Sequence, residues 1–131
     1  MAGELILIVE DNEKNRKLER DVLQFHGYRT VEAETGEDGV RLARESVPAL
    51  ILMDIQLPGI SGIQALLQIR ADPLTAAVPV IAVTASAMTH DRQKIMASGF
   101  DGYQSKPINV KEFVAAVRQM LDRPARADST T

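Results

Sequence analysis

The sequence predicts an α/β fold: a doubly wound parallel sheet of five strands in the order 2-1-3-4-5, with five helices shared between its two faces. Three observations carry this expectation. The runs Leu5–Val9, Ala49–Met53 and Val78–Val83 are short, continuously apolar and rich in β-branched residues, as strands covered on both sides are. Helical spacing of apolar residues fills the intervals between them, and such alternation implies a parallel sheet joined by right-handed crossovers. Two shorter, more polar runs complete five strands, for which 2-1-3-4-5 is the common order, with a crevice at the carboxyl ends of strands 1 and 3.

Taken in order, Leu5–Val9 is broken by Glu10-Asp11-Asn12. A helix follows, with Leu18, Val22 and Phe25 near one face and Gly27 as its stop. Tyr28–Ala33 reads as a short, more polar strand. Thr35 caps a second helix that turns Val40 and Ala43 inward. Ala49–Met53 ends on Asp54, and the loop Gln56–Ser61 carries Pro58 and Gly59. Ile63, Leu66, Leu67 and Arg70 mark one side of a third helix, which Asp72-Pro73 ends. Val78–Val83 ends on Thr84, and Thr89–Ala97 is a weakly amphipathic helix closed by Gly99. Gly102–Ser105 has room for only a brief strand before Lys106-Pro107. Asn109 caps a last helix whose apolar stripe is Phe113, Val114, Val117, Met120 and Leu121. The chain divides only at its end, into a domain over residues 4–123 and a polar, flexible tail over 124–131.

Composition narrows the function classes. The chain has 131 residues, 45% hydrophobic and 25% charged, which suits one globular domain. With no cysteine there is no disulfide scaffold, thiolate metal site or cysteine nucleophile, and two histidines are too few for a His-rich centre. A net charge of -3 brings no general attraction to nucleic acid or anionic lipid. No apolar run approaches the ~20 residues of a membrane span. A cytoplasmic domain with no direct nucleic-acid or membrane partner is expected.

The alternation has a consequence that no single motif shows. In a parallel sheet all strand carboxyl ends share one edge, so Glu10, Asp11, Asp54, Thr84 and Lys106 meet in one pocket. Each has an ordinary reading of its own. Glu10 and Asp11 suit a helix N-terminus, threonine is common at strand ends, and Lys106 could be a structural counter-ion. Jointly these readings lose force. Three crowded carboxylates repel, and one ammonium leaves them short of positive charge. An all-oxygen ligand set suits Mg²⁺, which binds phosphate through one or two carboxylates and waters. The site therefore looks built for a phosphoryl group delivered to a carboxylate nucleophile.

As an ordered set these residues resemble the receiver domain of two-component response regulators, the CheY-like fold, over essentially Leu5 to Leu121. The resemblance rests on Glu10-Asp11-Asn12, on Met53-Asp54-Ile55-Gln56-Leu57-Pro58-Gly59-Ile60-Ser61-Gly62, on Val83-Thr84-Ala85-Ser86-Ala87-Met88, on Gly99-Phe100-Asp101-Gly102-Tyr103 and on Lys106-Pro107. It implies that Asp54 is the phosphoacceptor and that Asp11, Asp54 and the Gln56 carbonyl bind Mg²⁺, with Glu10 acting mostly through a coordinated water. It implies that Thr84 and Lys106 contact the phosphoryl oxygens, that Lys106-Pro107 is cis, and that Tyr103 turns inward with Thr84. An edge-strand tyrosine is the plainer reading of Tyr103. The implied partners are a histidine kinase or histidine phosphotransfer protein and a downstream protein target. The face they imply for output is helix 4, strand 5 and helix 5, around Met88, Lys94, Tyr103 and Lys111.

Competing readings fare less well. An aspartate-nucleophile phosphatase would carry a second acid two residues after Asp54, where this chain has Gln56. A flavodoxin-like cofactor binder would cradle phosphate with glycine and hydroxyl groups, whereas Glu10-Asp11 repels a bare phosphate. A pseudo-receiver would lack a site residue, and none is missing. The resemblance implies a phosphoacceptor rather than an enzyme with turnover beyond its own phosphorylation and slow autodephosphorylation, and the Met1 start and short tail lead us to expect a stand-alone regulator of the DivK-like kind. A receiver excised from a hybrid histidine kinase is the alternative.

Overall fold

Period-two alternation along the strands sorts the core into two halves. In the computed structural model, which describes residues 3–85 and 89–123, five parallel strands run β1 Leu5–Val9, β2 Arg29–Ala33, β3 Leu50–Asp54, β4 Val80–Thr84 and β5 Gly102–Ser105. Five helices alternate with them: α1 Glu13–Phe25, α2 Gly36–Ser46, α3 Gly62–Ala71, α4 Thr89–Ala97 and α5 Val110–Asp122. The sheet order is β2-β1-β3-β4-β5, as expected. Leu7, Val9, Ile51, Met53 and Ala82 face Ala43, Leu66, Ile69 and Ile95 on the side of α2, α3 and α4. Ile6, Ile8, Leu50, Leu52, Ile81 and Val83 face Leu23, Phe113 and Val117 on the side of α1 and α5. Each large apolar side chain so buried contributes roughly 1.5–3 kcal/mol before entropy is counted.

Short polar side chains start four of the helices, Thr35 and Asn109 as expected. Asn12, Thr35, Ser61 and Asn109 each accept a hydrogen bond from the backbone N–H three residues on, and Gln64 completes a capping box by accepting from the Ser61 N–H. After α1, Gly27 takes φ +89°, a left-handed turn that glycine adopts without strain. β1 begins where its apolar run does, but β3 and β4 begin slightly later than theirs. Val78 lies in a turn whose N–H donates to the Thr75 carbonyl, and β4 starts at Val80. Arg70, at the end of α3, donates to the carbonyls of Ala76, Val78 and Gly99 and pairs with Asp101 at 2.7 Å, so it ties α3 to the turns before β4 and β5.

Two helix faces differ from the sequence expectation. On α1, Leu18 and Phe25 are exposed, Phe25 at 85%, while Glu19 and Leu23 are buried. The inward stripe thus passes through position 19, which an apolar pattern skips because its residue is acidic. On α3, Leu67 is 56% exposed and Ala65, Leu66 and Ile69 are buried, since Leu67 lies about 100° around the helix from Leu66. Met88 and the tail 124–131 fall outside the described residues.

α3 begins hard against the end of β3. A Cβ at Gly62 would collide with the Asp54 backbone carbonyl and crowd the Ile55 Cα, and backbone atoms cannot swing aside as a side-chain tip can. Overpacking typically costs about 1–3 kcal/mol. Gly62→Ala is therefore expected to lower the free energy of unfolding in urea by about 3 kcal/mol. An unchanged midpoint would show that α3 can retreat from β3 freely.

Candidate functional site

The sheet brings the predicted residues to one edge. Glu10 follows β1, Asp54 ends β3 and Thr84 ends β4; all three are buried, at 1%, 4% and 2% exposure. Asp11 is exposed at the mouth. Carboxylate oxygens of Glu10, Asp11 and Asp54 all lie within 4.8 Å of one another. Lys106, just past β5, places its Nζ 2.8 Å from Glu10 Oε1 and 3.1 Å from Asp54 Oδ2. Residues separated by 52 positions are thereby joined through one ammonium.

The backbone completes the frame. The Asn12 N–H donates to Glu10 Oε2 at 3.0 Å and the Gln56 N–H donates to Asp54 Oδ1 at 3.1 Å. The Glu10 N–H is held by the Ala33 carbonyl, and the Lys106 N–H by that of Thr84 at 2.8 Å. The Lys106–Pro107 peptide is cis. Gln56 is exposed on the loop after β3. Tyr103, on edge strand β5, is half-buried against the core, and the Arg92 guanidinium lies 5.1 Å from its ring centroid.

The charges are unbalanced. Burial, and beyond it the Asp54 charge, raise the Glu10 pKa above the ordinary carboxylate value in spite of hydrogen bonds from Lys106 and Asn12. Burial disfavours the Lys106 ammonium too, but Glu10 and Asp54 outweigh it and hold the lysine above its usual value. One ammonium facing three carboxylates leaves room for a further cation. The donors are all oxygen, two of them buried and one open to solvent, which fits a hard divalent ion that keeps several waters.

Comparison with known proteins places the chain in a family. Residues 6–118 match the family profile described as the response regulator receiver domain. The polar-differentiation response regulators DivK of Brucella ovis and Brucella abortus are 45% identical over 116 residues, covering 88% of this chain and 94% of theirs. Among solved structures, the receiver domain of the sensor histidine kinase PA1611 from Pseudomonas aeruginosa, described with a magnesium ion in its active-site cleft, superposes with a TM-score of 0.87 at 34% identity. That match covers 93% of this chain and all of the other. A CheY-like receiver domain protein from Methanospirillum hungatei gives 0.82 at 28% identity, over 92% of this chain and 95% of the other.

One acidic residue beside the pocket escaped the sequence reading. Glu19 is 1% exposed on the inward face of α1, and its Oε2 has no hydrogen-bond partner among the described residues. Burial, reinforced by the negative charge of Glu10, pushes its carboxyl up to about 8 from an ordinary 4.5. The native state keeps this proton after the unfolded chain has lost it. Stability should accordingly fall as pH rises between those two values, by up to about 1.4 kcal/mol per pH unit. The raised Glu10 acts in the same direction, so the variant Glu19→Gln isolates the effect. Urea midpoints measured across that window should decline in the wild type and decline less steeply in Glu19→Gln; equal slopes would mean that Glu19 ionises normally in the fold.

Proposed function

This chain belongs to the response regulator receiver domain family, and on that premise we propose that it is a phosphoacceptor switch of a two-component or phosphorelay system with Asp54 as the acceptor. The observation that carries the reading is the Asp54 carboxylate, buried at the end of the central strand, with the Lys106 ammonium on one oxygen and the Glu10 and Asp11 carboxylates beside it. A carboxylate oxygen of Asp54 forms a bond to phosphorus as the P–N bond of a phosphohistidine breaks. The electron pair leaves on the imidazole nitrogen, which is then protonated. No side chain is needed as a base, because an ionised aspartate is already the nucleophile.

Lys106 and Thr84 receive the phosphoryl oxygens, and Glu10 still pairs with Lys106 when Asp54 carries the phosphoryl group as an acyl phosphate. Asp11, Asp54 and the Gln56 carbonyl would hold Mg²⁺, with Glu10 behind them, and the ion would supply the remaining positive charge. The magnesium described in the cleft of the PA1611 receiver supports that reading. The donor is a histidine kinase or histidine phosphotransfer protein. The similar proteins include both a response regulator, DivK, and a receiver of a sensor histidine kinase, PA1611.

The output is a population shift. A hydrogen bond from Thr84 is worth about 1 kcal/mol and a charge-assisted one from Lys106 about 1.5–3 kcal/mol. Together they bias the active state by roughly 2.5–4 kcal/mol, short of the about 5.5 kcal/mol needed to swing from 1:99 to 99:1. Binding of the downstream protein completes the change. The surface read is α4–β5–α5, which carries Lys94 and Lys111 and where Tyr103 borders a polar cleft of about 260 Å³ with Arg92 and Glu112.

Incubation with acetyl phosphate and Mg²⁺, followed by intact-protein mass spectrometry, tests the assignment. A phosphoryl adduct that needs Mg²⁺ and is absent from a folded Asp54→Asn variant is expected. An adduct that persists in the variant at the same rate removes Asp54 from the role.

A further inference from the structure

Of the three acidic side chains at the pocket, two are held by their own contacts and one is not. Glu10 is fixed by Lys106 and the Asn12 N–H, and Asp54 by Lys106 and the Gln56 N–H. The Asp11 carboxylate makes no hydrogen bond or ion pair among the described residues, so its direction follows the backbone that carries it. That backbone is held from one side by Arg16. Its Nη1 donates to the Glu10 carbonyl at 3.0 Å, on the peptide plane that joins Glu10 to Asp11.

Arg16 is itself held. Its Nε donates to Glu32 Oε1 at 3.1 Å, and Glu32 also accepts from Arg20 Nη1 at 3.2 Å. Glu32 stands on β2, whose Ala33 carbonyl receives the Glu10 N–H, so the edge strand grips both sides of residue 10. The Arg16 side chain is only 13% exposed although it sits one turn into a surface helix. A planar guanidinium can make the Nε and Nη1 bonds together; a lysine ammonium cannot reproduce that fork.

We infer that Arg16, oriented by Glu32, is a positioning residue of the cation site: it locks the Glu10–Asp11 peptide so that the otherwise unsupported Asp11 carboxylate faces the pocket. This deepens the reading of Glu10, Asp11 and Asp54 as a divalent-cation site and rests on it. The sign of the effect separates positioning from simple charge. Removing a positive charge near a cation site favours the cation, whereas removing a support of a ligand weakens it, commonly by 10–100-fold.

The test is calorimetric titration of the full chain with Mg²⁺, with melting curves as a check on folding. Arg16→Met is expected to raise the Kd about tenfold or more, and Arg16→Lys, which keeps the charge, to raise it as well. In an Asp11→Asn background the Arg16→Met penalty should vanish, which a general loss of structure would not produce. Wild-type or tighter binding by folded Arg16→Met and Arg16→Lys overturns the inference, as does a penalty that persists undiminished beside Asp11→Asn. If Arg16→Met does not fold, Arg16→Lys and its double variant decide the matter by the same criteria. A wild type that binds no Mg²⁺ overturns the cation reading itself, and this inference with it.

Discussion

Everything at the carboxyl edge of the sheet depends on one ammonium. Lys106 stands between Glu10 and Asp54, two carboxylates that the fold removes almost completely from water. Without it, two adjacent buried charges would face each other, at a cost of several kcal/mol and a shift toward protonation. With it, each carboxylate has an oxygen 2.8–3.1 Å from the ammonium nitrogen, and the deficit of positive charge is reduced without being closed. A centre satisfied by the protein alone would have no use for an incoming cation or for the oxygens of a phosphoryl group.

The surrounding architecture holds that imbalance still. The strand ends set the depth of each group, since Asp54 ends the middle strand and Glu10 directly follows its neighbour. The loops are pinned by hydrogen bonds from backbone N–H groups at residues 12 and 56, and α3 is seated against the Asp54 carbonyl through a glycine. On the opposite flank, charged side chains of α1 and β2 grip the first loop. Charge that a stability argument would remove is thus retained at a place where rigid backbone prevents it from relaxing away.

Much of this was legible in the sequence because it is written in period and punctuation. Fully apolar runs marked β1, β3 and β4, and the residues that ended or followed them were the polar ones that share the sheet edge. Asn12, Thr35, Ser61 and Asn109 carry capping chemistry that reads locally. The misreadings have a common cause. Placing Leu18, Phe25 and Leu67 inward assumed that apolar residues face the core, whereas the buried stripe of α1 passes through Glu19. An acid inside a helix reads as solvent-facing unless the three-dimensional neighbours are known. Arg16 was invisible for a similar reason: its partners are a backbone carbonyl before the helix and a glutamate on another strand, and neither leaves a mark in spacing.

The separation of 52 residues between Asp54 and Lys106 has a consequence for synthesis. As the chain emerges from the ribosome, β1, β2, β3 and α3 are available before the last strand. The nascent chain then presents Glu10, Asp11 and Asp54 without their counter-charge, at a sheet edge still lacking β5. Repulsion among them opposes early consolidation of that edge until Lys106 arrives and β5 joins β4. Charge compensation therefore comes late, and the lysine that pairs with Glu10 and Asp54 also rewards completion of the domain.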